Sequence, residues 1–113
     1  MAEQIYQQIR RSGQMPCIST FNEHEDCLYY DHANNDGMRS YLENRRRTQD
    51  KRLRQTHNLP AALREEVVCF TTIGKAAPLA DLHAVIQTQF KKSATCYFYE
   101  NEYSPGWYWL TIH

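Results

Sequence analysis

Apolar residues near the start of the chain recur at helical spacing, at Ala2, Ile5, Tyr6 and Ile9, and Ser12 and Gly13 follow. The spacing predicts a short amphipathic helix, and glycine suits its stop because it accepts the left-handed conformation that closes helices. Residues 16–21 and 27–31 are rich in β-formers and flank the polar stretch 22–26, which predicts a hairpin with a five-residue connection. In that register Phe21 faces Cys27 and Cys17 faces Asp31. Asn34, Asn35, Asp36 and Gly37 then form a turn cluster. Asn35 or Asp36 is placed to cap a helix that begins its apolar face at Met38, Tyr41 and Leu42 and runs to about His57.

Pro60 ends that segment and opens a short helix through Glu66, and residues 67–73 read as a buried strand ending at Gly74. From Pro78 the stripe Leu79, Leu82, Val85, Ile86 and Phe90 predicts a further helix, with Lys91 and Lys92 favouring its C-terminus. Two aromatic strands, 95–102 and 107–112, finish the chain around Ser104, Pro105 and Gly106, which suit a type II turn. The expected fold is α+β: one domain over residues 1–113, a mainly antiparallel sheet of about five strands packed by three to four helices, and a C-terminal aromatic β-hairpin.

Composition changes this picture in one respect. Ile, Leu, Val and Phe together supply only 21 of 113 residues, a level that would suggest disorder if net charge were high. It is not: 13 basic residues balance 13 acidic ones, and eight Tyr, four Phe and two Trp bring large buriable surfaces. A neutral chain argues against a general polyanion binder. The apolar runs are too short to span a bilayer and the first eleven residues lack a secretory apolar stretch, so the expectation is a soluble, cytoplasmic protein with no membrane partner.

The strongest local charge is in residues 45–54, where Arg45, Arg46, Arg47, Lys51, Arg52 and Arg54 accompany a single acid, Asp50. Read as helix, it places Arg45 and Arg52 on the Tyr41 and Leu42 side and Arg47, Lys51 and Arg54 opposite, so the cations encircle the axis. Glu43 with Arg47 and Asp50 with Arg54 stand at i, i+4 spacing. The acidic residues Glu23, Glu25, Asp26, Asp31 and Asp36 are a second charged stretch that could neutralise the basic arm.

If Ser104 pairs with Trp107 and the ladder continues from there, Phe98, Glu100, Glu102, Trp107, Trp109 and Thr111 share one hairpin face, opposite Tyr99, Asn101, Tyr103, Tyr108, Leu110 and Ile112. A face mixing two carboxylates with two tryptophans should stay partly wet, as interface anchors do. A one-residue slip would recombine the faces.

Catalytic chemistry finds little support. Cys17, Cys27, Cys69 and Cys96 lie among apolar residues without a C-x-x-C pair, and read as reduced core thiols. Cys17, His24, Cys27 and His32 are zinc-compatible types, but the predicted hairpin holds the sulfurs about 13 Å apart, too far for one ion. Residues 32–43 overlay a calcium loop badly, with His32 at the first ligand position. No nucleophile elbow, phosphate loop or dinucleotide motif occurs, and no cofactor or metal is expected.

These observations favour a non-catalytic module acting through protein contacts, as an inhibitor, an immunity-type protein or an adaptor. The expected partner-binding residues are Trp107, Trp109, Phe98, Glu100 and Glu102, and a homodimer is a further partner to consider. The first alternative is nucleic-acid binding through Arg45, Arg46, Arg47, Lys51, Arg52 and Arg54, and the second is a small enzyme with a thiol or metal site.

Overall fold

The computed structural model describes residues 1–101 and 104–113. Helix α1 (Ala2–Arg11) buries Ile5 and Ile9, the core positions of its apolar stripe. It closes at Gly13, whose φ of 86° lets its own N–H reach Arg10 O and that of Gln14 reach Ile9 O. Strands β1 (Cys17–Asn22) and β2 (Glu25–Tyr30) form the expected hairpin. Its connection is only Glu23 and His24, and Glu23 takes a positive φ of 46°. Asn22 therefore faces Glu25 and Thr20 faces Cys27, a shift of one position from the predicted register. The shift sends Cys17 and Cys27 to opposite faces of the sheet.

Helix α2 (Asp36–Arg47) starts as the sequence predicts. Asn35 is its N-cap: Oδ1 accepts the Met38 N–H at 2.8 Å, while Nδ2 donates to Ile73 O at 2.9 Å and ties the helix start to the sheet. Its end corrects the expectation of a helix to His57. Gln49 adopts a left-handed φ of 54°, its N–H reaches Arg46 O, and the Asp50 N–H reaches Arg45 O. This Schellman closure needs neither glycine nor proline. The chain then turns into β3 (Leu53–Gln55), which pairs parallel to β2. Residues 45–54 are thus the last turn of a helix, a reverse turn and a short strand.

Helix α3 (Leu59–Ala62) is a single turn, shorter than predicted because the chain turns over residues 63–65 into β4 (Glu66–Gly74). Helix α4 (Ala76–Phe90) buries Leu79, Leu82 and Ile86, and leads to β5 (Cys96–Glu100) and β6 (Tyr108–Ile112).

The six strands form one sheet in the order β3-β2-β1-β4-β6-β5, antiparallel except for β2 and β3. One face carries Ile18, Phe70, Leu110 and Ile112 and packs on α1, α3 and α4 through Ile9, Leu59, Leu79 and Ile86. The other carries Cys17, Leu28, Tyr30 and Ile73 and is covered by α2 through Met38 and Leu42. The architecture is the expected α+β class, with six strands rather than five because β3 exists only through its pairing. Among the described residues no helix is long and apolar enough to cross a membrane.

Candidate functional site

The C-terminal hairpin decides where the site lies. Ser104 O accepts the Trp107 N–H at 3.1 Å and Gly106 has a φ of 86°, as a type II turn requires. The turn does not continue directly into the ladder, however. Asn101 N–H donates to Trp107 O, and beyond it Glu100 faces Tyr108, Tyr99 faces Trp109 and Phe98 faces Leu110. The register differs by three positions from the one predicted, and an odd slip exchanges the faces.

Phe98 consequently leaves the tryptophans. It packs into the core beneath α4, with its ring 5.5 Å from that of His83. Trp107 and Trp109 instead join Tyr99 on the α2 side. Glu102 lies outside the described residues, as does Tyr103.

On that side the hairpin and α2 enclose a cleft of about 880 Å³, lined by Gly37, Ser40, Tyr41, Glu43, Asn44, Arg45 and Arg47 from the helix and by Tyr99, Glu100, Asn101, Ser104 and Trp109 from the hairpin. Trp109 is its aromatic floor: Tyr41 meets the ring edge-on at 4.8 Å, and Tyr99 stacks on it at 6.2 Å with 20° between planes. Tyr99 is 48 % exposed. Burial pushes the Tyr41 hydroxyl up to about 12, so it is a neutral donor at physiological pH. The indole N–H of Trp109 is buried without a hydrogen-bond partner among the described residues.

Trp107 holds the two walls at a fixed distance. Its ring lies against Gly37 so closely that a Cβ there would stand 2.6 Å from ring carbons, and Lys75 Nζ sits 4.0 Å above the ring centroid. A cation over an indole face is attracted by the ring quadrupole. The Gly106 N–H donates to Glu100 Oε2 at 3.0 Å, which fixes the turn from the hairpin side.

The six cations singled out from the sequence do not share one surface. Arg45 lies in the cleft, its guanidinium 5.7 Å from the Tyr41 centroid and 3.7 Å from Asp50. Arg46 turns away to Tyr30, donating to its hydroxyl at 3.0 Å. Arg52 chelates Asp50, which also accepts the Arg52 backbone N–H, and this holds the Asp50 carboxyl down at about 2. Arg54 reaches Glu25 at 3.5 Å, among the described residues the one ion pair between the acidic residues of the hairpin stretch and the basic arm. The predicted Asp50–Arg54 helical pair is replaced by Asp50 with Arg52 and Arg45, because the helix has already ended. Among the described residues Arg47 and Lys51 have no ion-pair or hydrogen-bond partner for their side chains, and only Arg47 of these two lines the cleft.

The thiols offer a weaker arrangement. Cys69 Sγ lies 3.6 Å from His113 Nε2, but it is 8 % exposed and burial pushes its pKa up, as burial does for Cys17, to about 12, and for Cys96. A thiolate nucleophile needs the opposite shift. Among the described residues no three metal-ligating side chains converge. Comparison with family models, curated proteins and solved structures finds no match to this chain.

Sequence reasoning picked out Trp109, Glu100, Arg45 and Arg47 without the signal that joins them. Tyr41, Tyr99 and Ser40 were missed as site residues. The pattern puts Tyr41 on the apolar side of its helix and Tyr99 on the hairpin face opposite the tryptophans, and Ser40 becomes visible only once α2 lies beside the hairpin.

Proposed function

We propose that this chain is a non-catalytic protein-binding module whose partner inserts a segment into the cleft between α2 and the C-terminal hairpin. The observation that carries the reading is convergence: the cationic end of α2 and the aromatic hairpin face, far apart in sequence, line one cleft with an open tyrosine at its rim. Tyr99 and Trp109 supply contact area at low entropic cost, the chemistry of interface anchors. The Tyr41 hydroxyl offers a donor to a backbone carbonyl or side-chain oxygen. Arg47, exposed and without an ion-pair partner among the described residues, orients an approaching acidic group and raises the association rate.

A protein segment suits this lining better than nucleic acid does. Glu43 and Glu100 stand beside Arg45 and Arg47, so the cleft is charge-balanced and repels phosphate locally. Arg46, Arg52 and Arg54 are engaged by Tyr30, Asp50 and Glu25 and do not extend a cationic track.

The test is quantitative affinity capture with the wild type and with Tyr99→Ala and Arg47→Glu variants that keep the wild-type circular dichroism spectrum. A partner protein retained by the wild type and weakened tenfold or more by Tyr99→Ala, about 1.4 kcal/mol, supports the reading. Equal capture by all three proteins, or retention of only salt-sensitive nucleic acid, refutes it.

A further inference from the structure

The two edges of the sheet are built differently. The β3 edge is three residues long and carries Arg54, a short, charged edge of the kind that resists pairing with other chains. The β5 edge is five residues, Cys96 to Glu100, with no Lys, Arg, Pro or bulge, and it presents two exposed tyrosines, Tyr97 at 56 % and Tyr99 at 48 %.

Its backbone pattern can be read residue by residue. Thr95 exchanges both backbone hydrogen bonds with His113, and the Asn101 N–H bonds to Trp107 O. Odd-numbered residues therefore direct their backbone groups toward β6. Cys96, Phe98 and Glu100 direct theirs outward from the sheet edge.

We infer that β5 pairs antiparallel with β5 of a second copy of this chain, about a two-fold axis at Phe98. That register sets Phe98 opposite Phe98 and Cys96 opposite Glu100. The outward-facing residues thereby meet as hydrogen-bonded pairs, and no like charges are opposed. Tyr97 of each copy falls opposite Tyr99 of the other, on the α2 side of the sheet.

The layer beneath is compatible as well. His83 touches Phe98, so the α4 stripe nearest this edge is Ala80, His83, Ala84 and Gln87, which contains no Asp, Glu, Lys or Arg. An isologous contact of this kind closes at two subunits and joins two six-stranded sheets into one.

The pairing has a consequence for the cleft. Tyr99 forms its outer wall, and that wall is an edge strand, paired to β6 on one side and, among the described residues, to no strand on the other. In the dimer Tyr97 of the second copy stands beside Tyr99 and extends the aromatic wall, so each cleft is completed by its neighbour. This last step rests on the cleft being the binding site; the strand pairing does not.

The experiment combines sedimentation equilibrium with hydrogen exchange on the full chain, at about 100 µM, where a micromolar dimer is populated. The expected result is a dimer in which the outward amides of Cys96, Phe98 and Glu100 are protected. Tyr97→Lys places two like charges diagonally across the axis and should raise the dissociation constant about tenfold or more, exposing those amides while the circular dichroism spectrum is kept. The double variant Tyr97→Lys with Tyr99→Glu sets opposite charges face to face and should restore the dimer. A monomer at this concentration, or a dimer with fast-exchanging edge amides and no response to Tyr97→Lys, overturns the proposal. Partner capture by the monomeric Tyr97→Lys variant then reads the cleft separately from the pairing.

Discussion

Replacing Gly37 by alanine tests whether Trp107 locks the hairpin onto α2. On propensity alone the change should help, since alanine is favoured over glycine inside a helix by about 1 kcal/mol. The structure predicts the reverse. The new Cβ would lie 2.6 Å from Cδ2 and Cε3 of Trp107 and 3.0 Å from Cγ2 of Ile73. Ordinary contact between carbons is about 3.5–4.0 Å, so the ring must retreat by about 1 Å. Retreat is opposed by Lys75 over its face and by the Gly106 to Glu100 hydrogen bond in the adjoining turn. Overpacking of this kind costs about 1–3 kcal/mol, which leaves a net loss of up to about 2 kcal/mol after the helix gain. Urea denaturation followed by far-UV circular dichroism measures it without relying on emission from the displaced indole. In a Trp107→Leu background the same substitution should become neutral or favourable, a coupling of about 2 kcal/mol. A Gly37→Ala protein more stable than the wild type by the full helix gain, or an equal effect in both backgrounds, would refute the locking contact.

Three further outcomes follow from the turns and hydrogen bonds. Gln49→Gly should raise stability by about 0.5–1 kcal/mol in thermal melts, because Gln49 sits at a φ of 54° that glycine adopts without strain. The Asp50 carboxyl is held down at about 2, so its stabilisation is present above the ordinary carboxylate range and fades as pH falls from about 4 to about 2. Asp50→Asn should cost about 1 kcal/mol at neutral pH, less than the full shift implies because the arginines are screened by solvent, and the difference from wild type should vanish in acid melts. Glu65 accepts the hydroxyls of Thr20 at 2.7 Å and Tyr29 at 2.6 Å, and Thr20 is 1 % exposed. Glu65→Ala should lower stability by about 1–3 kcal/mol and Tyr29→Phe by about 1 kcal/mol in the same denaturation assay.

What was legible in the sequence was local chemistry. Asn35 caps α2, Gly13 closes α1, and Pro105 with Gly106 makes the predicted turn, because each depends on a few neighbouring residues. The α+β class followed from the order of these pieces. The end of α2 was not legible, because Gln49 does by strain what a glycine would announce. Strand β3 was invisible for a different reason: three residues hold their place only through pairing with β2. The C-terminal register failed because a correct turn sat inside a longer connection, so the strands met three positions away. That slip moved Tyr99 beside Trp109 and removed Phe98. The cleft depends on this register and on where α2 stops, and neither can be inferred from local spacing.

Partner entry between α2 and the hairpin, as proposed, can be read by contact. The most direct measurement is site-specific photo-crosslinking with p-benzoylphenylalanine in place of Ser40, on the cleft wall, and in place of Thr88, exposed on α4, away from that cleft. The expected result is one partner protein crosslinked from position 40 and not from position 88, with the crosslink lost when Tyr99→Ala is added. Crosslinks of equal yield from both positions, or a partner captured only from position 88, would contradict it.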